Sequence, residues 1–373
     1  MTMKQTILTT TALAGVVGIM TASNALAEGL DLSIGGEINF QAGFSDQDSP
    51  FDTTGAFTRD VKFANDTEIH FNVSGEADNG LKYGAVIDLE ADVSADNRGE
   101  GTNADKTFIW LESDLGRVEL GNNEGAEAAM AVNAATIARA TGGIDGDDEF
   151  YINSGGVAPG ATFLIHPDLP TADTGGATED ATKITYYSPS FSGIQLGVSY
   201  TPDEGDGGTA AGFTGELNGD QENVFGLGLN YAGTLESVDV NVGLVGAFGQ
   251  SELATTEDLA AWQLGTALTF EGFSLAGSYG DWDDSTMAVG SNLDTSFWTL
   301  GAAYENGPMG VSVTYLDSER GNDDFTNLVV GADYALAPGL TPYVEVSFFD
   351  ADQSGTATDN DGTVVLVGTY LSF

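Results

Sequence analysis

Apolar and polar residues alternate along the chain from Leu30 onward. Leu32, Ile34, Ile38 and Phe40 fall on one face, and polar residues such as Asn39 fall between them. A period of two sustained over this length predicts a β-strand with one apolar and one wet face. The stretch is longer than most strands of globular sheets and suits a tilted membrane crossing.

The same alternation recurs to the C-terminus and predicts about sixteen strands. The connections between them alternate between short turns, rich in Gly, Pro, Asn or Ser, and long polar segments. The predicted long connections are Ser45–Thr58, Ser94–Ala104, Asn122–Thr182, Thr201–Gln221, Gly249–Leu259, Asp281–Leu293, Asp317–Asp323 and Ala351–Gly362. This alternation requires an even number of strands, with both termini at the short-turn end.

These features favour an all-β fold, a 16-stranded antiparallel transmembrane β-barrel, over a soluble β-sandwich or β-solenoid. The apolar faces are almost free of charge, and aromatic residues collect at strand ends, as at Tyr231, Tyr304, Phe44 and Phe248. Aromatic residues in two belts are typical of the two interfaces of a bilayer. The final strand also ends in Phe373, and a soluble sheet would rarely leave such an edge bare.

Composition and the N-terminus narrow the class further. Lys and Arg total 10 against 57 Asp and Glu, a formal net charge of −47, which excludes a nucleic-acid partner. There is no cysteine for disulfides or thiolate metal sites. Residues 1–27 combine Lys4, a short apolar run and a small-residue site ending at Ala27, which predicts a cleaved signal peptide. Residues 28–373 are then one exported barrel domain.

Three segments resemble a known family. They are KITYYSPSFSGIQLGVSYTP at Lys183–Pro202, TFIWLESDLGRVELGN at Thr107–Asn122, and the terminal TYLSF. They are similar to general porins of Gram-negative outer membranes, above all the alphaproteobacterial Rhodobacter-like group. The resemblance implies an outer-membrane homotrimer, in contact with the bilayer and lipopolysaccharide, that passes small hydrophilic solutes by diffusion.

In that family the third long loop folds into the pore and narrows it. Here the third long connection is Asn122–Thr182, where alternation stops for roughly sixty residues, far beyond an ordinary loop. The resemblance makes it the constriction loop, and its charged candidates are Glu124, Glu127, Arg139, Asp145, Asp147, Asp148 and Glu149. Its Ala-rich part, Gly125–Gly143, predicts a short helix packed on the wall through Met130, Ala134 and Ile137.

The opposite side of the constriction is expected on the barrel wall. Its candidates in lumen phase are Lys62, His70, Lys82, Lys106, Arg117, Glu37, Asp66, Glu68, Asp88 and Glu90. The family usually has a cluster of basic residues on this wall. In this chain the cations are few and lie at different predicted depths, so a strong field across the pore is not expected.

The acid-rich lumen predicts a preference for cations, because fixed charges in a narrow pore concentrate counter-ions. The loop run Asp145, Asp147 and Asp148 has ligand types that suit Ca²⁺, but it does not complete an EF-hand loop. A solvated loop is the preferred interpretation, and no other cofactor is expected.

Two other functions remain open. A channel specific for a sugar or another small solute would use aromatic residues facing the lumen, and Tyr187 and Tyr343 take that phase. A barrel hydrolase is disfavoured, because the chain has only His70 and His166 as candidate bases and no GxSxG motif. One hint of subunit contact is the polar pair Asn65 and Thr67 in the outward phase, where bare polar groups are costly.

Overall fold

The computed structural model describes residues 29–48, 61–91, 103–152, 169, 181–204, 221–291, 293–352 and 359–373. These residues form one closed antiparallel barrel of sixteen strands in sequence order. The strands are β1 Leu30–Gln47, β2 Val61–Glu76, β3 Lys82–Glu90, β4 Asn103–Ser113, β5 Gly116–Asn122, β6 Thr182–Tyr187, β7 Ile194–Asp203, β8 Gln221–Leu235, β9 Val238–Ser251, β10 Leu259–Phe270, β11 Phe273–Asp283, β12 Thr295–Asn306, β13 Met309–Arg320, β14 Asp323–Tyr334, β15 Leu340–Asp352 and β16 Asn360–Ser372. The predicted signal peptide, residues 1–27, lies outside the described residues and stays a prediction.

The barrel closes where β1 pairs with both β2 and β16. Phe40 stands opposite Asn65 on one side and opposite Thr369 on the other. Gly36 and Phe373 exchange backbone hydrogen bonds of 3.1 and 3.0 Å, so the last residue completes the seam. Closure leaves no unpaired strand edge, which is the condition for a sheet to cross a bilayer.

The two faces of the wall separate as the alternation predicts. On β13, Val311 and Val313 are exposed to the outside, while Ser312 and Thr314 between them are buried toward the lumen. Neighbouring outer-face aromatics touch, for example Trp298 and Tyr315 with ring centroids 5.1 Å apart. The outer face is therefore the continuous apolar belt that lipid requires.

In β4, four consecutive apolar residues, Phe108 to Leu111, conceal the alternation in the sequence, and the structure assigns their faces. Ile109 and Leu111 are exposed on the outer face. Trp110 takes the opposite phase, where its indole lies under the Arg117 guanidinium, 4.6 Å from the ring centroid. Lumen aromatics are thus more numerous than the two that the sequence indicated, and they include Trp110 and Tyr370.

The seventh predicted long connection is wrong. β13 continues to Arg320 and β14 begins at Asp323, so this connection is a tight hairpin with its ladder reaching the Arg320–Asp323 pair. The strands extend through acidic residues that sequence reading assigned to a loop. At the opposite end, Glu271 and Gly272 both have positive φ (47° and 83°), the geometry of a two-residue hairpin turn.

The inner face is not uniformly polar, contrary to the simple alternation. Phe297, Phe325 and Phe349 are each at most 3% exposed, and with Leu316 and Leu366 they form an apolar core inside the barrel. Ile144 and Ile152 of the loop belong to the same core. The lumen is therefore packed on the side of β9 to β16. Among the described residues, no helix is both long and apolar enough to cross a membrane.

Candidate functional site: the lumen constriction

The third connection runs along the inside of the barrel wall. It contains a short helix, α1 (Ala126–Ala129), and three 3-10 helices at Ala134–Ile137, Gly143–Asp145 and Asp147–Tyr151. The helix α1 contacts β6 to β9, and the three 3-10 helices contact, in turn, β10 to β13, β13 and β14, and finally β1 and β16. The predicted helix is thus only one turn long. We call residues 123–152 the inner loop.

Hydroxyl groups on the wall accept hydrogen bonds from backbone N–H groups of the inner loop. The bonds join Ala126 N to Ser199 Oγ (3.3 Å), Ala134 N to Thr299 Oγ1 (3.1 Å), Arg139 N to Ser312 Oγ (2.9 Å) and Ile144 N to Thr314 Oγ1 (3.1 Å). A buried amide left without a partner would cost free energy comparable to a lost hydrogen bond. The lumen-phase Ser and Thr residues therefore fix the path of the loop strand by strand.

Glycines on the wall let the loop backbone approach closely. A Cβ at Gly265 would lie 1.6 Å from the carbonyl oxygen of Val132, and one at Gly243 would lie 2.5 Å from that of Met130. Real Cβ atoms essentially never make such contacts. The inner loop is thus seated on β9 and β10 at positions where only glycine fits.

Two of the predicted constriction acids lie behind the loop rather than in the pore. Glu127 is 2% exposed and accepts a hydrogen bond from Ser199 Oγ at 2.7 Å. Burial raises its pKa, while its hydrogen bonds and Lys183 lower it. Asp148 is 1% exposed and accepts from Asn327 at 3.0 Å, and burial raises its pKa to about 6.

Arg139 is also held against the wall. Its Nε and Nη2 each donate to Asp333 at 2.8 Å, and Nη1 reaches Glu305 at 3.4 Å. A bidentate pair of this kind is among the stronger ion pairs. The charge of Arg139 is therefore matched locally, at the side of the lumen that the loop covers.

Glu345 on β15 anchors the inner loop, although it was not among the predicted constriction residues. It is fully buried and accepts hydrogen bonds from Thr141 Oγ1, from Thr141 N (3.3 Å) and from Gly143 N (3.3 Å). Its sequence signal was one acid in the lumen phase of an otherwise apolar strand, YVEVSFF. Nothing in that pattern indicated the loop segment it binds.

The remaining loop acids are less buried than Glu127 and Asp148. Asp147 accepts from Asn39 Nδ2 at 3.1 Å, and burial, Asp66 and Asp148 raise its pKa to about 6. Asp145 is exposed, and Glu149 is partly buried. Glu124, at the root of the loop, accepts a hydrogen bond of 2.7 Å from Lys106 Nζ.

The wall of β1 to β4 brings the predicted acids together. Glu37 pairs in register with Glu68, and Glu68 with Glu90. One step further, His70 pairs with Asp88, and Asp88 with Lys106. Because Thr107 pairs with Asn122, this group is level with the root of the inner loop. We call Glu37, Glu68, His70, Asp88 and Lys106 the wall cluster.

The other predicted wall cations also have local partners. Lys82 Nζ lies 3.8 Å from Glu112 Oε1. Arg117 Nε lies 2.6 Å from Glu119 Oε1, and Arg117 Nη1 lies 3.7 Å from Glu112 Oε2. Lys62 sits over the Tyr151 ring, 5.4 Å from its centroid. The described residues therefore place no row of basic side chains opposite the loop acids.

A metal site is not assembled within the described residues. No group of three or more His, Asp or Glu side chains there could hold an ion. Asp147 and Asp148 turn to different partners, Asn39 and Asn327. His166 lies outside the described residues. Calcium binding at Asp145, Asp147 and Asp148 stays a prediction.

Comparisons with known proteins agree on one family. The family model described as Gram-negative porin matches residues 9–354. A Rickettsia felis protein described as uncharacterized is 27% identical over 337 residues, covering 72% of this chain and 76% of its own. A monosaccharide porin of Halomonas sp is 24% identical over 398 residues, covering 99% and 100%.

Solved structures share the fold. An anion-selective porin from Comamonas acidovorans superposes with a TM-score of 0.62 at 16% identity, over 92% of this chain and all of that one. A mutant porin of Rhodopseudomonas blastica gives a TM-score of 0.60 at 17% identity, with the same coverage. At such identities the likeness establishes the architecture alone.

Proposed function

Because the chain belongs to the Gram-negative porin family, it is an outer-membrane channel and not an enzyme, and we propose that it passes small hydrophilic solutes with a preference for cations. The observation that supports this preference is the charge of the wall cluster. Glu37, Glu68 and Asp88 stand together there, while its cation, Lys106, is matched by Glu124.

A preference for cations is expected because the basic side chains of the lumen are paired with carboxylates. Lys82, Lys106, Arg117 and Arg139 each lie within 4 Å of a carboxylate, so their charges are largely compensated where they stand. The uncompensated charge along the pore is then negative. In a narrow channel with low-dielectric walls such charge raises the local cation concentration and repels anions.

A measurement of reversal potential tests the preference directly. In a planar bilayer with a KCl gradient, the potential should have the cation-selective sign and should shrink at higher salt, because the Debye length falls from about 10 Å at 0.1 M to about 3 Å at 1 M. An anion-selective or zero potential at low salt contradicts the proposal. Glu68→Gln should reduce the potential.

Asp239→Asn is the matched control for that variant. It removes the same charge from β9 near a short turn, where Asp239 is exposed and bonded to Thr234. Since this site is remote from the wall cluster, its reversal potential should equal that of the unmodified protein. Equal effects of Glu68→Gln and Asp239→Asn would mean that charge at the constriction does not set the preference.

A channel specific for a sugar is the second candidate. It is favoured by the Halomonas relative, named a monosaccharide porin, and by the partly exposed lumen aromatic Trp110. Liposome swelling across a size series separates the two functions. A general channel grades solutes by size, whereas a specific one saturates with a preferred sugar.

The homotrimer is a further part of the proposal. Asn65 donates to Thr67 Oγ1 at 3.0 Å on the outer face, which lowers the cost of two polar groups there and leaves a patch suited to a neighbouring subunit. A band of trimer mass that collapses on boiling is the expected gel result.

Calcium binding in the acidic loops has its own test. Loss of thermal stability on addition of a chelator would support it.

A further inference from the structure

We propose that His70 is a specificity-determining residue of the pore, whose protonation weakens the preference for cations as the pH falls. The inference rests on the proposed cation preference and adds to it a named residue and a pH dependence. The relevant observation is the place of His70 within the wall cluster at the level of the loop root.

The geometry ties the imidazole to carboxylates on both of its nitrogens. Nδ1 lies 2.9 Å from Asp88 Oδ1 on β3, a hydrogen bond that orients the ring. Nε2 is buried without a hydrogen-bond partner and lies 3.6 Å from Glu68 Oε2. A proton added to Nε2 therefore enters beside Glu68.

Charged groups face His70 from each element around it. Glu37 lies on β1, Glu68 on β2 itself, Asp88 on β3, and Asp105 and Lys106 on β4. The inner loop contributes Glu124 through its bond to Lys106. Acids dominate this set, so a positive His70 would cancel part of the charge that attracts cations.

Histidine is the side chain that ordinarily changes charge between pH 5 and 8. One unit charge at 4 Å in water-like surroundings changes the local concentration of a monovalent ion roughly fivefold. Salt screens part of this effect, so we expect the ratio of K⁺ to Cl⁻ permeability to fall at least about twofold between pH 8.5 and 5.5. The wall acids add to the fall only where they themselves take up protons.

The test compares pH profiles of reversal potential for the full-length protein and two variants. His70→Gln keeps a hydrogen-bonding side chain beside Asp88 but cannot gain charge in this range, so its profile should be flatter by at least about half. His70→Lys should show the low cation preference at every pH. Asp239→Asn, at an exposed site on β9 remote from the wall cluster, is the control and should follow the unmodified protein.

The outcomes separate the two proposals. If the unmodified channel lacks cation preference at pH 8.5, the proposed function fails, whatever His70 does. If it is cation-selective and the profiles of unmodified protein and His70→Gln superimpose, the role of His70 is overturned and the function stands. Heat-modifiable gel mobility equal to that of the unmodified protein shows that each variant has folded.

Discussion

At the scale of single residues, the constriction depends on which side of the inner loop a charge faces. Glu127, Asp148 and Arg139 are tied to wall side chains, and Asp148 is fully buried, whereas Asp147, bonded to Asn39 of β1, is only partly buried. Their sequence neighbours give no sign of this division, because Asp147 and Asp148 are adjacent in the chain. The sequence shows which residues of the loop are charged, but not how deeply each of them is buried.

The pKa of Asp147 predicts how loop docking responds to pH. Its docked pKa of about 6 is above the ordinary value of 3.8, so the docked loop binds a proton more tightly than the free loop. Docking is then weaker above pH 6 and strengthens as the pH falls through 6. Hydrogen exchange of amides 147–151, corrected for the intrinsic rate, should show greater protection at pH 5 than at pH 7.5.

Asp147→Asn supplies the control for that measurement. The amide cannot titrate, so the pH dependence of protection should decrease, and protection at pH 7.5 should rise. Asp148 also contributes, since burial raises its pKa to about 6, and some dependence should therefore remain. Greater protection at pH 7.5 than at pH 5 in the unmodified protein would contradict the assignment.

Glu345 gives a second prediction at this scale. Glu345→Leu leaves the amides of Thr141 and Gly143 without their acceptor, and each unsatisfied buried donor costs about 1–3 kcal/mol. The middle of the inner loop should then exchange faster and be cleaved by protease sooner. Glu319→Leu on β13, an exposed side chain whose carboxylate accepts a hydrogen bond from Ser296, should leave the loop unchanged.

At the scale of elements, the inner loop is held by small residues of the strands rather than by its own helices. α1 is a single turn, too short to be stable alone, so its conformation depends on the wall. Sequence periodicity finds the strands because alternation is a local property. The position of the loop depends on residues far apart in the sequence, since Val132 contacts Gly265 of β10.

Substitution of that glycine should displace the inner loop and so change the channel. Gly265→Ala places a methyl group where the Val132 carbonyl oxygen lies, so the loop backbone must move into the lumen or detach from the wall. Single-channel conductance should change, and open-channel noise should rise. Gly246→Ala on β9, whose added Cβ would meet its nearest atom at 3.1 Å, is the control expected to conduct normally.

At the scale of the whole molecule, the barrel is packed on one side and has its charged wall on the other. The apolar core at Phe297, Phe325 and Phe349 fills the lumen against β9 to β16, while the wall cluster occupies β1 to β4. The number of strands and the order of the long connections were predictable, except the hairpin at Arg320–Asp323. The packed side was not, because an aromatic residue in lumen phase looks the same in sequence whether a loop covers it or not.

The closing seam has a consequence for the order in which the molecule forms. Gly36 bonds to Phe373, far away in the sequence, so the native ladder of β1 is complete only when β16 has paired with it. Contacts between residues this far apart in sequence require closure of a large loop and make folding slow. Until then both edge strands expose unpaired backbone groups and an apolar face. Premature pairing with another chain is therefore the main hazard during the passage from export to membrane.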